Sequence, residues 1–359
     1  MNSLISISAT PDAAAVTVHT IHELPVLVIF PHNQCNCRCV MCDIWRIRQA
    51  EQLTPQDLEP QLAGFRKLGV RWVVFSGAEP QLNEKWSYLA QLVRSGGSRV
   101  TLLTAGLLLK PQAGLVVESV DDVIVSLDGP PAIHNHIRRV PDAFERLADG
   151  VSTLRRLNPD LPVRAQYTVQ KANHSSLRAI VRTAKELGLT SVSFLASDLT
   201  STAFNRPAGW SAERMSRVAL TNEEVETLQS EVDQLIAEQH ADLQSGFVVE
   251  SCQKLGRIVE HFRAHLGKGQ NVAPRCNAPW VSAVIEASGD VRPCFFHPVL
   301  GNIHRDSLTD IVNSPHALRF RLDLAVASNE ICKRCVCSLY VQKHQDAAQK
   351  WTEQPMIED

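Results

Sequence analysis

The sequence predicts an α/β fold, a six-stranded parallel sheet covered by helices and followed by a small cysteine-rich module. Three observations lead there. Short β-rich runs alternate with helical patterns from Leu24 to about residue 200, and repeated strand-helix units imply a parallel sheet with right-handed crossovers. The alternation stops after Leu195, and cysteines gather again between about Asn271 and Tyr340, among Gly, Pro and Asn residues suited to loops. The length, 359 residues, suits one large α/β body with an appendage.

The elements follow in order. "LPVLVIF" (24–30) is a short apolar run that ends at Pro31 and reads as a buried strand feeding a loop. Next, Thr54 stands as N-cap, with Pro55 at the first helical position and Asp57 at N3; Leu58, Leu62, Phe65 and Leu68 form the apolar stripe and Gly69 the stop. Pro60 fits that single helix poorly, because it lacks the N–H of an i→i−4 bond. Strand "RWVVFS", a helix over 84–94, strand "RVTLLT", a short helix, strand "DVIVSL", a helix over 141–157, strand "VRAQYTV", a helix over 174–187 and strand "SVSFL" complete the alternation. Beyond a loop-like stretch, Thr221 and Glu224 make a capping box for a helix with the stripe Val225, Leu228, Val232, Leu235 and Ile236.

Lys and Arg total 36 against 38 Asp and Glu, a net charge of −2 without long single-sign runs. A nucleic-acid partner is not expected, since phosphate tracking needs a basic patch. The opening "MNSLISISATPDAAAVTVHT" has no basic residue ahead of an apolar core, and no apolar stretch is long enough to span a bilayer. The expectation is a soluble cytoplasmic protein. There thiols persist, so clustered cysteines point to metal or redox sites rather than disulfides.

"CNCRCVMC" places four of the ten cysteines within eight positions. Cys35, Cys39 and Cys42 give C-x3-C-x2-C and leave Cys37 over, as a bystander pointing away. Three thiolates on one loop suit a [4Fe-4S] cluster that keeps one iron open. From thiol number alone, structural zinc on all four fits as well. The loop, "SGAEP" (76–80) and "SLDGP" (126–130) all fall at carboxyl ends of strands, where parallel α/β folds place their chemistry.

Over about residues 24–200 these motifs resemble the radical S-adenosylmethionine (SAM) superfamily. The C-x3-C-x2-C signature is followed by "DIW", and Gly77-Ala78-Glu79-Pro80 stands for the family's Gly-Gly-Glu-Pro, with Ala78 in place of the second Gly. The stretch "SLDGPPAIHNHIRRVPDAFERL" is similar to what such enzymes carry after their fourth strand. The resemblance implies a partial (β/α)6 parallel barrel. It implies that SAM chelates the open iron of the cluster and, on receiving an electron, yields methionine and a 5′-deoxyadenosyl radical that removes a hydrogen atom from substrate. On that basis Glu79, in the turn shaped by Gly77, is expected to accept from the SAM ammonium, Ser126 and Asp128 from the ribose hydroxyls, and Arg138 to face the carboxylate, with a surface arginine as the alternative. Met41 is expected near the adenine. On "VRAQYTV", Arg164, Gln166 and Thr168 line the cleft if that face points inward, and Tyr167 takes the inner place if not. His134 and His136 receive no role.

Cys276, Cys294, Cys332 and Cys335 supply a second set, closed by a C-x2-C pair and open by itself to a zinc-ribbon reading. In this context it resembles the auxiliary [4Fe-4S] module of the SPASM/Twitch type, with Cys337 as a possible substitute for Cys335. A fully ligated auxiliary cluster implies electron transfer with a substrate radical. Cys252, outside both sets, has two readings: a buried small hydrophobe, or a catalytic hydrogen-atom donor. The expected organisation is an N-terminal extension (1–23), the barrel (24–200), a helical connector (201–270), the auxiliary module (271–340) and a polar tail (341–359). The expected function is oxidation or epimerisation of a sugar- or aminocyclitol-like small molecule, with flavodoxin or ferredoxin as reductant. A peptide maturase and a non-enzymatic metal scaffold are the alternatives.

Overall fold

In the computed structural model, which describes residues 17–342, the six predicted strands are all present. They are β1 (Val26–Ile29), β2 (Trp72–Phe75), β3 (Arg99–Thr104), β4 (Asp122–Ser126), β5 (Val163–Val169) and β6 (Val192–Ala196), each parallel to its sequence neighbour. Most of the N-terminal extension and all but the first residues of the polar tail lie outside the described residues.

The strands are two-faced. Val163, Ala165, Tyr167 and Val169 of β5 are buried in the core with Ile180, Val181 and Ala184 of the helix Leu177–Glu186. Strand alternation puts Arg164, Gln166 and Thr168 on the opposite, open face. Burial thus settles what periodicity left open, and Tyr167 is an outer core residue whose hydroxyl donates to the Asn173 carbonyl at 2.6 Å.

Three local expectations change. The 54–69 helix is broken into Pro55–Leu58, a 3-10 turn Glu59–Gln61 and Leu62–Lys67, as the missing N–H of Pro60 requires. Its cap is as expected, with the Thr54 N–H donating to Asp57 Oδ2 at 2.7 Å. A helix Pro131–Arg138 was not anticipated, and the helix after it begins at Ala143 rather than residue 141. Residues 171–175 form turns, so the next helix starts at Leu177 rather than residue 174.

The largest departure concerns the cysteine-rich region. β7 (Ser282–Ile285) lies parallel to β1, pairing Val26 with Ser282 through Ile29 with Ile285. β8 (Asp290–Arg292) and β9 (Gly301–Asn302) follow antiparallel, giving a nine-stranded sheet in the order β6-β5-β4-β3-β2-β1-β7-β8-β9. Ala283, Ile285, Val291, Leu308 and Ile311 belong to the same core as Leu27, Ile29 and Phe65. The region expected as a separate loop-rich module is therefore welded to the barrel by backbone and by core. Gln61 reinforces the joint, donating to the Ile303 carbonyl at 3.1 Å and accepting from the Leu308 N–H at 2.8 Å. At the other edge, the segment 247–250 covers β6, with the Val192 N–H donating to Phe247 O at 2.7 Å and the Phe194 N–H to Glu250 Oε2 at 2.7 Å. Among the described residues no helix is long and apolar enough to cross a membrane.

Candidate active site

β1 delivers the first cysteine loop to the carboxyl end of the sheet, and the helix Pro131–Arg138 holds it there. The Arg38 and Val40 N–H groups donate to the carbonyls of Arg138 (3.0 Å) and Ile137 (2.9 Å). All ten cysteines are free thiols. The three expected ligand sulfurs each accept one N–H: Cys35 from Cys37 (3.4 Å), Cys42 from Ile44 (3.5 Å) and Cys39 from Arg138 Nη1 (3.5 Å). Donors aimed at sulfur stabilise thiolate ligands and tune the cluster they carry, so this donor set fits an iron-sulfur cluster.

Cys37 does not point away. It is buried, 1% exposed, and its thiol lies within hydrogen-bonding reach of Cys35 and Cys39. Those two contacts, followed by burial, raise its pKa. The Cys37 thiol, and after it the Arg138 guanidinium, draw Cys39 down to about 7 against the opposing effect of burial. Burial, helped by the charge of Cys39, pushes Cys42 up to about 12, so metal binding there must displace a proton.

Arg138 is neither on the surface nor free. Burial alone would lower its pKa, yet Asp128 and the cysteine sulfurs raise it. Its Nη2 lies 2.6 Å from Asp128 Oδ2. Asp128 is fully buried and also accepts from the Thr168 N–H at 3.3 Å. Asp128, expected at the ribose hydroxyls, is in this structure the counter-ion of Arg138, linking β5 through Arg138 to Cys39. Ser126, by contrast, is half-exposed and is the register partner of Gln166 on the open face. Met41 is partly buried against the core around the loop. His134, without an assigned role, is fully buried, and its Nδ1 accepts from the Asp128 N–H at 3.2 Å. Burial takes it down to about 3, so it is neutral.

The turn after β2 depends on Gly77. Its φ is +95°, and a Cβ there would meet the Phe30 ring at 2.4 Å. Ala78 is absent from the positive-φ residues, so the substitution of the family's second glycine is tolerated. Glu79 is fully buried and accepts from Thr104 Oγ1 (2.9 Å), the Ala105 N–H (2.9 Å) and the Gln81 N–H (3.3 Å). Burial raises its pKa, while the Ala105 N–H and Thr104 hydroxyl act in the other direction. The carboxylate expected to receive an ammonium also ties the ends of β2 and β3 together.

The segment 198–214, read only as a loop, folds over the first cysteine loop. Asp43, next to Cys42, accepts from Trp210 Nε1 (2.5 Å) and Arg214 (3.3 Å) and pairs with Arg46 (3.0 Å). Asn205 Nδ2 donates to the Asp43 carbonyl at 3.0 Å. Arg206, 2% exposed, is ion-paired with Asp198 and lies 4.3 Å from the Trp210 ring centroid. The only sequence signal was the acid of "DIW" and the Trp and Arg content of 206–214. Beside this cover, a cavity of about 390 Å³ is lined by Phe30, Gly77, Ala78, Arg206, Phe295 and Phe296.

The second cysteine set converges from three places. Cys276, Cys294, Cys332, Cys335 and Cys337 all line one cavity of about 290 Å³, otherwise mainly apolar, with Gln166 on its barrel side. Cys276 Sγ accepts from the Ala278 N–H at 3.5 Å, and His297 Nε2 lies 3.4 Å from Cys332 Sγ. The Cys335 thiol donates to the Cys337 carbonyl at 2.7 Å. A thiol-lined void of this kind fits a buried, protein-ligated cluster. Phe295 and Phe296, immediately after Cys294, line both this cavity and the 390 Å³ one and divide them. Cys252 is exposed at the start of the helix Cys252–His265 and lines neither cavity, so it is not a buried hydrophobe.

Three cysteines at the carboxyl mouth of a parallel sheet, with a second cysteine cradle behind them, make two places fit for iron-sulfur clusters. The radical SAM superfamily model matches residues 29–195 and that of SPASM, an iron-sulfur cluster-binding domain, matches residues 276–336; the chain belongs to the radical SAM superfamily and carries a SPASM domain. Its cofactors are accordingly SAM and [4Fe-4S] clusters. It is 32% identical to an AdoMet-dependent heme synthase of Methanosarcina barkeri over 43% of this chain and 45% of that protein. It is 31% identical to a probable GTP 3',8-cyclase of Methanothermobacter marburgensis over 37% of this chain and 46% of that protein. The chain thus spans less than half the length of these curated relatives. In fold it is similar to Streptococcus suis SuiB bound to precursor peptide SuiA, with TM-score 0.63 and 15% identity over 95% of this chain and 80% of that one. It is likewise similar to anSMEcpe with bound AdoMet, with TM-score 0.60 and 19% identity over 82% of both chains.

Proposed function

We propose that this radical SAM enzyme oxidises or epimerises a polar small molecule, hydroxylated or amino-sugar-like, held on the open face of the barrel. The observation that carries the reading is the pairing of Ser126 with Gln166. Gln166 lines the thiol-walled cavity together with Val26, Val28, Val74 and Val284, and Ser126 is its register partner on the same face. A few polar groups on an apolar wall orient a small ligand. The curated names, heme synthase and GTP cyclase, are also those of enzymes of small molecules.

Cys35, Cys39 and Cys42 hold the SAM-binding cluster in this scheme, and Cys276, Cys294, Cys332 and Cys335 the auxiliary one. Held by these residues, the cluster and SAM would supply radical hydrogen-atom abstraction. The chain contributes placement and exclusion of water. Arg138 sets a fixed positive charge against Cys39, and Asp128 fixes Arg138. Gly77 and Ala78 bring backbone to the 390 Å³ cavity, which we assign to SAM, while Arg206 and Phe204 cover it. Phe295 and Phe296 line both this cavity and the second cysteine cradle and stand between them. Flavodoxin or ferredoxin is the proposed electron source.

Peptide modification is the rival reading, because the fold is shared with a complex of a precursor peptide. The test is anaerobic incubation of the reconstituted enzyme with SAM, reductant and deuterated candidates, reading deuterium in 5′-deoxyadenosine. Transfer from a polyol or aminocyclitol is expected. Transfer from peptides alone would replace this reading with the maturase one.

A further inference from the structure

A cavity of about 540 Å³, separate from the proposed SAM cavity, opens between the carboxyl end of β6 and the segment bearing Cys335. β6 is the end strand of the sheet, so this is the lateral opening of the partial barrel. Its charge is one-sided: Lys254, Arg257, Arg275 and Lys333 line it, against the single carboxylate of Glu260. That imbalance occurs in a chain whose net charge is −2.

Several of these charges have partners. Lys254 pairs with Glu250 (3.2 Å), Lys333 with Glu330 (3.0 Å) and Glu260 with Arg263 (2.7 Å). The guanidiniums do not. Arg257 makes no ion pair or side-chain hydrogen bond among the described residues, and Arg275 only stacks on Tyr340, 3.8 Å from the ring centroid. Lys254 and Arg257 are presented by one face of the helix Cys252–His265, being three residues apart. A basic patch on a convex surface is ordinarily just solvated. Two guanidiniums lining a concavity without a carboxylate partner among the described residues are different, because their fork geometry matches carboxylate and phosphate oxygens. The cavity also shares Cys335 and Ser338 with the auxiliary-cluster cradle.

We propose that this lateral opening is an anion subsite, in which Arg257 and Arg275 take a carboxylate or phosphate of the substrate and thereby set its remainder beside the auxiliary cluster. The inference rests on the radical reading above and narrows its substrate to an anionic molecule.

The test is calorimetric titration of the anaerobically reconstituted holoenzyme, at low salt, with inorganic pyrophosphate and separately with citrate. One-site binding of either anion is expected, weakened about tenfold by Arg257→Gln or Arg275→Gln, the loss of one charge-assisted contact. Lys333→Gln should weaken it less, and Arg66→Gln, on a remote exposed helix face, not at all. Preference for pyrophosphate identifies a phosphorylated substrate, and preference for citrate a carboxylated one. Absence of binding to the wild type, or equal binding by the Arg257→Gln and Arg275→Gln variants, overturns the proposal. 5′-Deoxyadenosine formation is measured on the same samples, and its loss in the wild type would instead overturn the radical reading.

Discussion

The two cysteine sites are built on opposite principles. In the first, the three proposed ligands and Cys37 lie within residues 35–42, and the tertiary structure contributes chiefly one buried cation, Arg138. In the second, the proposed ligands are spread from Cys276 to Cys335 and are brought together beside a β-hairpin grafted onto β1. The first sits in a charged, hydrogen-bonded setting, with Asp128, Arg138 and Cys37 around it. The second is walled mainly by apolar residues, and its neighbour His297 has its pKa lowered by burial. A cluster that must cycle its charge gains from fixed counter-charge, whereas an apolar wall favours a stable, fully ligated cluster.

The sharpest way to break this comparison is to empty each site in turn. The reconstituted wild type should contain about eight irons. Cys39→Ala and Cys294→Ala should each reduce this to about four, but only Cys39→Ala should abolish 5′-deoxyadenosine formation. Loss of SAM cleavage in both would make the sites interdependent.

Next in size is the buried ion pair. Arg138→Gln strands the fully buried Asp128 and is expected to cost about 3–5 kcal/mol. Denaturant unfolding would measure it, with Asp128→Asn added to Arg138→Gln restoring a large part. An unchanged midpoint would mean that Asp128 is already neutral. Gly77→Ala should cost about 2 kcal/mol in the same assay, because its φ is +95° and the new Cβ would overlap Phe30.

The smallest effects concern the two cysteines outside the ligand sets. Cys37→Ala should keep about eight irons and shift the midpoint potential of the SAM-binding cluster, since only a donor to sulfur is lost; loss of iron would make Cys37 a ligand. Cys252→Ala should change stability by less than about 0.5 kcal/mol and leave the product unchanged, because Cys252 is exposed.

What sequence reading could reach follows the range of the interaction. The Thr54–Asp57 and Thr221–Glu224 caps were legible because both partners lie within one helical turn. The six parallel strands were legible because each is a short β-rich stretch, either a nearly continuous apolar run as in β1 or an alternation as in β5. Glu79 and Asp128 were legible as strand-end carboxylates, but their partners within the chain were not. A motif places a carboxylate at a strand end, whereas the Thr104 hydroxyl and the Arg138 guanidinium that satisfy these two arrive from other elements. The cover of 198–214 carried almost no periodic signal, since its contacts to Asp43 run across more than 160 residues.

The sequence by itself determined the class of fold, the three-cysteine loop and the two-site character of the protein, because these rest on local period and on spacing within a few residues. Tertiary structure alone decided that β7 joins β1, that Cys37 turns inward as a donor and that the lateral opening is lined by cations. Each of those outcomes depends on which surfaces the packed core brings together, and that is a property of long-range burial rather than of any short stretch of chain.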